Sequence, residues 1–562
     1  MKRFSPSFND QLLRRYGAVG ALGLLLLGAG LALKPALRSN ADIPQVLAGG
    51  DREQSQASVA FRVQQRQEQQ RQILPENFDL NRYPVTNKTE KYWRNLLWTT
   101  AVVQPQETFV ADTIERVLAM TLNPGLSDAQ KRTIDAAARV GTQLYLSNPN
   151  RYASIGEQFR QTIDRSPDPE WVAMALSGLA KGGLEPEQIQ PLVGRIKARF
   201  PNWSANISLQ TTLREMAELI SPSPVPPLRD LLTWTIAPNQ LQMYVLCQQN
   251  RDVLCQTVLK DRKGGFVRQQ NGQLWSVPLL LRSIHGLSWN FIRGETPQGI
   301  FRIEGEVPQP DDEFFRAYGQ FALVNLFVPF ESGAKQFLPG KSGPFRGSLA
   351  DYKRLLPPSW RSHWPLQESF WAGKAGRSFF RIHGTGESPD FFSGKDKNPD
   401  IYNWNPTIGC LSALELYNEQ GQLVQADMPK ILNALEMVGG KKFTGYLVVV
   451  DLPGNASKPI ALDAIEAALR NGKLSVSPKR QISLHQMQAH SVTPLANIPV
   501  RQPEASNSKP TLAKAAVQPT PIASIDLTKA DRMSAPEPEM SITSPPAQPE
   551  INPTTRPLPI GY

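Results

Sequence analysis

Apolar and polar positions change rhythm along this chain, and each rhythm predicts a different element. Residues 17–33, GAVGALGLLLLGAGLAL, carry no charge and follow Lys2, Arg3, Arg14 and Arg15. At about 1.5 Å rise per residue the run is near the lower limit for a bilayer span. Basic residues before it place the N-terminus inside and export the rest. It reads as an uncleaved anchor, with a signal peptide processed near Ser39-Asn40-Ala41 as the rival. Residues 41–90 are polar, most densely in VQQRQEQQRQ at 63–72, and read as a linker or surface helix.

Between 91 and 221 the apolar residues recur at helical spacing, over 108–122, 128–146, 169–181, 186–200 and 208–220. Asn-Pro-Gly, Asn-Pro-Asn, Gly-Gly and Phe-Pro-Asn breaks separate them, and Ser127-Asp128 and Ser166-Pro167-Asp168-Pro169 supply helix starts. The segment predicts a small helical domain without a catalytic constellation, a scaffold or a module that binds a protein partner. Prolines 222, 224, 226 and 227 form a stiff boundary.

Beyond it the texture turns to strands, at 232–236, 241–246, 253–259, 274–281, 289–292 and 300–303. Residues 308–376, rich in Phe, Trp and Pro with a short helix at 348–356, read as an insertion that forms a lid or substrate wall. A helix at 427–438, a strand at 443–451 and a helix at 459–469 complete a folded region at 228–473. Residues 474–562 are too rich in Pro, Ser, Ala and Gln to bury a core, and predict a disordered tail. The fold class expected is therefore α+β and multidomain: an anchor in 1–40, a linker, a helical domain, a β-rich domain and a tail.

The 562 residues allow two or three domains, and 49 prolines agree with an unpacked portion. A net charge of +11 suits an anionic cell wall or membrane surface. Nucleic acid is set aside, because no dense Lys/Arg run is interleaved with aromatics. Of the three cysteines, Cys247 and Cys255 flank a hairpin turn near 250–252 and face each other across the ladder. Opposed residues lie about 4.5–5.5 Å apart at Cα, which a disulfide spans; two apolar residues on one sheet face is the other reading. With a bridge, Cys410 is the odd thiol in an oxidising compartment.

Candidate chemistry concentrates at 378–416. Phe379-Phe380-Arg381-Ile382 reads as a buried strand, followed by His383, Gly384 and Thr385; further on comes Thr407-Ile408-Gly409-Cys410-Leu411-Ser412. Imidazole takes a proton from a thiol, and glycine beside the sulfur lets a substrate carbonyl approach the backbone. These residues resemble the L,D-transpeptidase (YkuD-type) catalytic domain of bacterial cell-wall enzymes. Gly294-Glu295-Thr296-Pro297-Gln298-Gly299-Ile300-Phe301-Arg302-Ile303 resembles that family's Thr-Pro-x-Gly-x-Phe segment, and 241–258 its opening hairpin.

The resemblance covers roughly residues 232 to 450 and implies a β-rich catalytic domain without a metal or organic cofactor. It implies Cys410 as nucleophile and His383 as base, with Gly409 and Cys410 amides facing the oxyanion and Gly384 and Thr385 orienting the histidine. Arg377, Arg381, Thr407, Ser412 and Trp404 are the expected substrate-binding residues. The implied substrate is a peptidoglycan tetrapeptide stem, cut before its terminal D-alanine and passed to an amine of another stem. The implied location is the bacterial inner membrane, single-pass, with the catalytic domain in the periplasm. Ile408 stands where the family has a second histidine, Ser412 replaces a polar Asn or Arg, and the interval from His383 to Cys410 is longer. A degenerate wall-binding protein and an L,D-carboxypeptidase using water are the alternatives. Gly340-Lys341-Ser342 lacks the first glycine of a phosphate loop, and Asp390, Asp396 and Asp400 do not match metal-ligand spacing.

Overall fold

The computed structural model describes residues 58–308, 321–385, 401, 403–454 and 457–471. The apolar run at 17–33, the Asp-rich loop with Asp390, Asp396 and Asp400, and the tail lie outside the described residues. Among the described residues no helix is long and apolar enough to cross a membrane.

Among the described residues eight α-helices come first: α1 (Val59–Gln70), α2 (Glu90–Val103), α3 (Thr108–Ala119), α4 (Asp128–Ser147), α5 (Ala153–Arg165), α6 (Pro169–Lys181), α7 (Pro186–Arg199) and α8 (Ile207–Ile220). Their starts follow the local chemistry. Ser127 closes a capping box with Gln130, and Asp168 rather than Ser166 caps α6 ahead of Pro169. The expected helices form within a residue or two, apart from 108–122, whose last turn tightens into a 3₁₀ helix. Helices α2 and α5 went unread because Thr, Gln and Arg interrupt their apolar stripes. Both stripes are nonetheless buried, through Trp93, Leu96 and Leu97 in α2 and Ile155, Phe159 and Ile163 in α5.

The second half is a sheet of nine strands: β1 (Leu241–Gln248), β2 (Cys255–Lys260), β3 (Pro278–Leu280), β4 (Gly299–Val307), β5 (Leu323–Phe327), β6 (Arg381–Thr385), β7 (Leu411–Tyr417), β8 (Leu423–Ala426) and β9 (Thr444–Leu452). Their order is β3-β2-β1-β9-β4-β5-β6-β7-β8, and β3 also pairs with β7, which closes a barrel-like ring. The molecule is thus mixed α/β, with a helical region and a barrel-like sheet. Alternation sorts the side chains: Leu241, Met243, Val245 and Cys247 enter one apolar cluster, and Tyr244 and Leu246 the other. Cys247 and Cys255 lie opposite each other with Cα atoms 4.2 Å apart and form a disulfide, which settles that alternative.

Two sequence expectations are corrected. In place of the strand expected at 232–236 the chain forms a helix, α9 (Leu228–Thr233), because Leu228, Leu231 and Leu232 at helical spacing all reach the core. Residues 289–292 form turns rather than a strand. The segment 308–376 contributes to the sheet itself, since its strand β5 sits between β4 and β6. Its aromatics build the second cluster: Phe337, Phe345, Tyr352 and Trp360 are fully buried against Tyr244, Ile300, Tyr446 and Val448. The short helices α10 (Leu349–Lys353) and α11 (Glu368–Lys374) belong to this packing. Helices α12 (Met428–Gly439) and α13 (Leu462–Asn471) cover the two clusters.

Residues 284–296 bind the helical region to the sheet. Leu287 and Phe291 enter the helical core. Ser177 and Ser288 hydroxyls meet at 2.6 Å, the Gln143 amide oxygen lies 3.0 Å from His285 Nδ1, and Asn290 donates to Thr211 and Thr212. Lys181 donates to the Gly286 carbonyl and pairs with Glu295 at 3.0 Å. Buried carboxyls gather beside this junction. Burial pushes Glu215 up to about 7 and Asp451 up to about 6, and holds Glu368 well above the usual carboxylate range.

Replacing Phe345 by Ala is expected to destabilise the fold by about 3–5 kcal/mol in denaturant unfolding, as for a core aromatic. A detachable lid would lose much less. The raised carboxyls give a second expectation. Each takes up its proton on folding, so its stabilisation is complete below the unfolded value of about 4 and is lost as pH rises through the folded value. The denaturant midpoint should therefore fall between about pH 5 and pH 8; a rising midpoint would contradict it.

Candidate active site

Strands β6 and β7 run parallel, pairing Ile382 with Leu411 and His383 with Ser412. Ile382, Leu411 and Ala413 point into the apolar cluster, so His383 and Ser412 share the opposite face. Cys410 stands at the entry of β7 and turns its thiol toward the same side, where it hydrogen-bonds the His383 ring. The Arg381 main-chain amide also donates to the sulfur. In its neutral form the thiol donates to the Phe379 carbonyl at 3.6 Å.

His383 Nδ1 lies 3.0 Å from the Gly384 carbonyl. A carbonyl only accepts, so Nδ1 carries the hydrogen, and Nε2 is the nitrogen left to exchange a proton with the thiol. Gly384 has no room for a side chain, because the buried Glu415 carboxylate occupies the place a Cβ would take. That carboxylate accepts from Tyr417 at 2.5 Å and adds negative charge behind the imidazole.

The electrostatics favour charge separation. Burial pushes the Cys410 thiol up, but the His383 hydrogen bond and charge, the Arg381 charge and the Arg381 amide outweigh it, and the thiol is lowered. Burial pulls His383 down, and the Cys410 partner, the Gly384 carbonyl and Glu415 together raise it. The pair therefore leans toward thiolate and imidazolium.

The turn carrying the cysteine is held from several directions. Gly409 adopts φ +123°, and a Cβ there would strike the Arg377 guanidinium, so both conformation and space call for glycine. Thr296 donates to the Gly409 carbonyl at 2.9 Å, Thr407 Oγ1 donates to the Cys410 carbonyl at 2.7 Å, and the Gly409 amide donates to Thr407 Oγ1 at 3.2 Å. Ile408 packs with Ile284 and with Val102 and Trp98 of α2. An apolar residue at this position is therefore explained: a histidine there would lose water without gaining a polar partner from that cluster.

The structure gives partners within the protein to the expected substrate-binding residues. Arg377 is buried and donates to the carbonyls of Trp289, Glu295 and Gly294 while lying over the Phe380 ring, so it braces the 289–295 loop. Arg381 donates one guanidinium nitrogen to the Leu326 and Phe380 carbonyls, yet its charge still reaches the sulfur. Thr407 knits the turn and holds the Gly409 amide, which is thus not open to an oxyanion in this conformation. Trp404 packs in an apolar cluster with Leu254, Leu280 and Ile401. Ser412 is buried opposite His383. The side chain of Thr385 lies outside what the structure describes.

Sequence reasoning missed Thr296 and Glu331 as site residues. Thr296 stood inside the recognised segment and could have been read as the anchor of the turn. Glu331, about a third of the way along a segment read as an insertion, gave no local signal. Among the described residues no group of His, Cys, Asp and Glu is arranged to hold a metal ion. Compared with protein-family models, curated proteins and solved structures, the chain finds no match in any of the three.

Alkylation of Cys410 by iodoacetamide should persist at pH values below the ordinary thiol range of about 8.5. Replacing His383 by Gln removes the imidazole charge, so the profile should move up toward that range and the neutral-pH rate should fall. An unchanged profile in H383Q would show that the imidazole does not set the thiol.

Proposed function

We propose that the protein is a cysteine-dependent acyltransferase of the L,D-transpeptidase type acting on peptidoglycan stem peptides. The observation that carries the reading is the Cys410–His383 pair, with Nδ1 of the imidazole tied to the Gly384 carbonyl and the Arg381 amide on the sulfur. In the proposed reaction the Cys410 thiolate attacks the carbonyl carbon of the diamino acid. The bond to the D-alanine nitrogen breaks, and His383 Nε2 hands its proton to the departing amine. An incoming amine then attacks the thioester carbonyl, His383 takes its proton, and the thiolate leaves. The product is a cross-link between two diamino acids; water as acceptor makes the same site an L,D-carboxypeptidase.

The membrane anchor, the exported location and the wall as partner belong to the same proposal, supported by the uncharged run at 17–33 and the net charge of +11. A second reading, a wall-binding protein without turnover, is favoured by one observation. The Gly409 amide is committed to Thr407, and an oxyanion donor is worth on the order of 2.7–4 kcal/mol in other enzymes.

Incubation of the full chain with a carbapenem, followed by intact-mass analysis, should show one adduct on the parent and none on Cys410→Ala. Stem-peptide products would then separate transfer from hydrolysis. An unreactive parent that also leaves stem peptides intact would move the wall-binding reading to the front.

A further inference from the structure

We propose that Glu331 is a positioning residue for the Cys410 nucleophile: its carboxylate, anchored on the Val328 amide, holds Phe379 in a left-handed backbone conformation that aims main-chain groups at the sulfur. The inference rests on the reading of Cys410 as nucleophile and extends it to a residue outside the motifs that suggested it.

Phe379 has φ +62°, a region that a bulky residue avoids unless its surroundings impose it. The surroundings here are specific. Glu331 Oε1 accepts the Phe379 amide at 2.9 Å, and Glu331 Oε2 accepts the Val328 amide at 3.1 Å. The carboxylate thus clips the chain end of β5 to the residue that leads into β6. Phe379 is where the chain leaves the buried Arg377, itself bonded through its amide to the Ala372 carbonyl, and takes up strand geometry. Its neighbour Phe380 is 2 % exposed and packs on Phe301 at 5.4 Å, so the residue after the turn is fixed by the core. With one end fixed by packing and the other by Glu331, the Phe379 carbonyl points at Cys410 Sγ and the Arg381 amide donates to it.

The chemistry of the clip requires a carboxylate. Two main-chain N–H groups converge on Glu331, and each needs an acceptor. A glutamine offers one acceptor and would turn its NH₂ group against the other donor. Glu331 is 7 % exposed, so water is poorly placed to compensate. Its charge also acts on Arg381, and burial outweighs these partners and leaves Glu331 raised to about 7.

The test reads Cys410 alkylation by iodoacetamide in the full chain, with the native fold checked by near-ultraviolet circular dichroism. Glu331→Gln should slow alkylation by on the order of tenfold, the loss of thiolate fraction that a rise of about one unit in the thiol's pKa brings. Adding Phe379→Gly should restore it, because glycine takes the left-handed conformation without the carboxylate. Parental reactivity in E331Q would overturn the inference, and so would an E331Q protein that Phe379→Gly fails to rescue. Should E331Q not fold, Phe379→Val and Phe379→Gly with Glu331 intact decide the matter. Slow alkylation for the β-branched variant beside parental alkylation for the glycine variant supports the backbone route, and equal rates overturn it. A parent whose Cys410 reacts no faster than a free thiol in solution would overturn the nucleophile reading, and the inference with it. A reactive parent with an indifferent E331Q would sink the inference alone.

Discussion

A buried guanidinium holds this site together. Arg377 donates to the carbonyls of Trp289, Gly294 and Glu295, and its face lies over Phe380. A cation taken out of water costs several kcal/mol unless its hydrogens are met, and three main-chain oxygens take three of the five here. The arrangement ties an irregular loop to the start of β6 and leaves room for no side chain at Gly409. Because the charge lies beside the sulfur, the same group that closes the loop also favours a thiolate at Cys410.

The helical region takes part in this construction. Residues 284–296 lie between the helices and the nucleophile turn, receiving Ser177, Lys181, Gln143, Thr211 and Thr212 on one side. On the other side they give Thr296 and the Gly294 carbonyl to the turn and its brace. Val102 and Trp98 complete the apolar seat of Ile408. The helices therefore build one side of the site's support, and a boundary at the prolines of 222–227 marks a change of secondary structure more than a mechanical separation.

Much of the helical region and the central strands was legible because the physical signal is local. Ser127 and Asp168 cap helices through their own side chains, and β1 alternates between two clusters with period two. The facing of Cys247 and Cys255 was legible from a hairpin register that its own turn defines, and the structure decided that they are bridged. Less legible were α2 and α5, whose stripes are broken by polar residues that find partners within the helices, as Thr100 does on Leu96 and Thr162 on Gln158. The part that 308–376 plays in the core was not legible, because aromatic and proline-rich sequence carries no period. Its role as core appears only when β5 enters the sheet.

The sequence by itself determined which residues bear chemistry: one thiol left outside the disulfide, one histidine after a buried strand, and glycines where a Cβ would not fit. Residue type decides those properties, since only a thiol, an imidazole or a missing side chain can supply them. The tertiary structure decided how those residues are used. Arg377 became a brace on the Gly294 carbonyl 83 residues away and Glu331 a clip on Phe379 48 residues away, while the Thr407 clasp on the Gly409 amide is local, two residues along the chain. Hydrogen-bond donors and buried charges take whatever acceptor the fold brings within reach, and that choice is made by packing between distant segments, which no local pattern encodes.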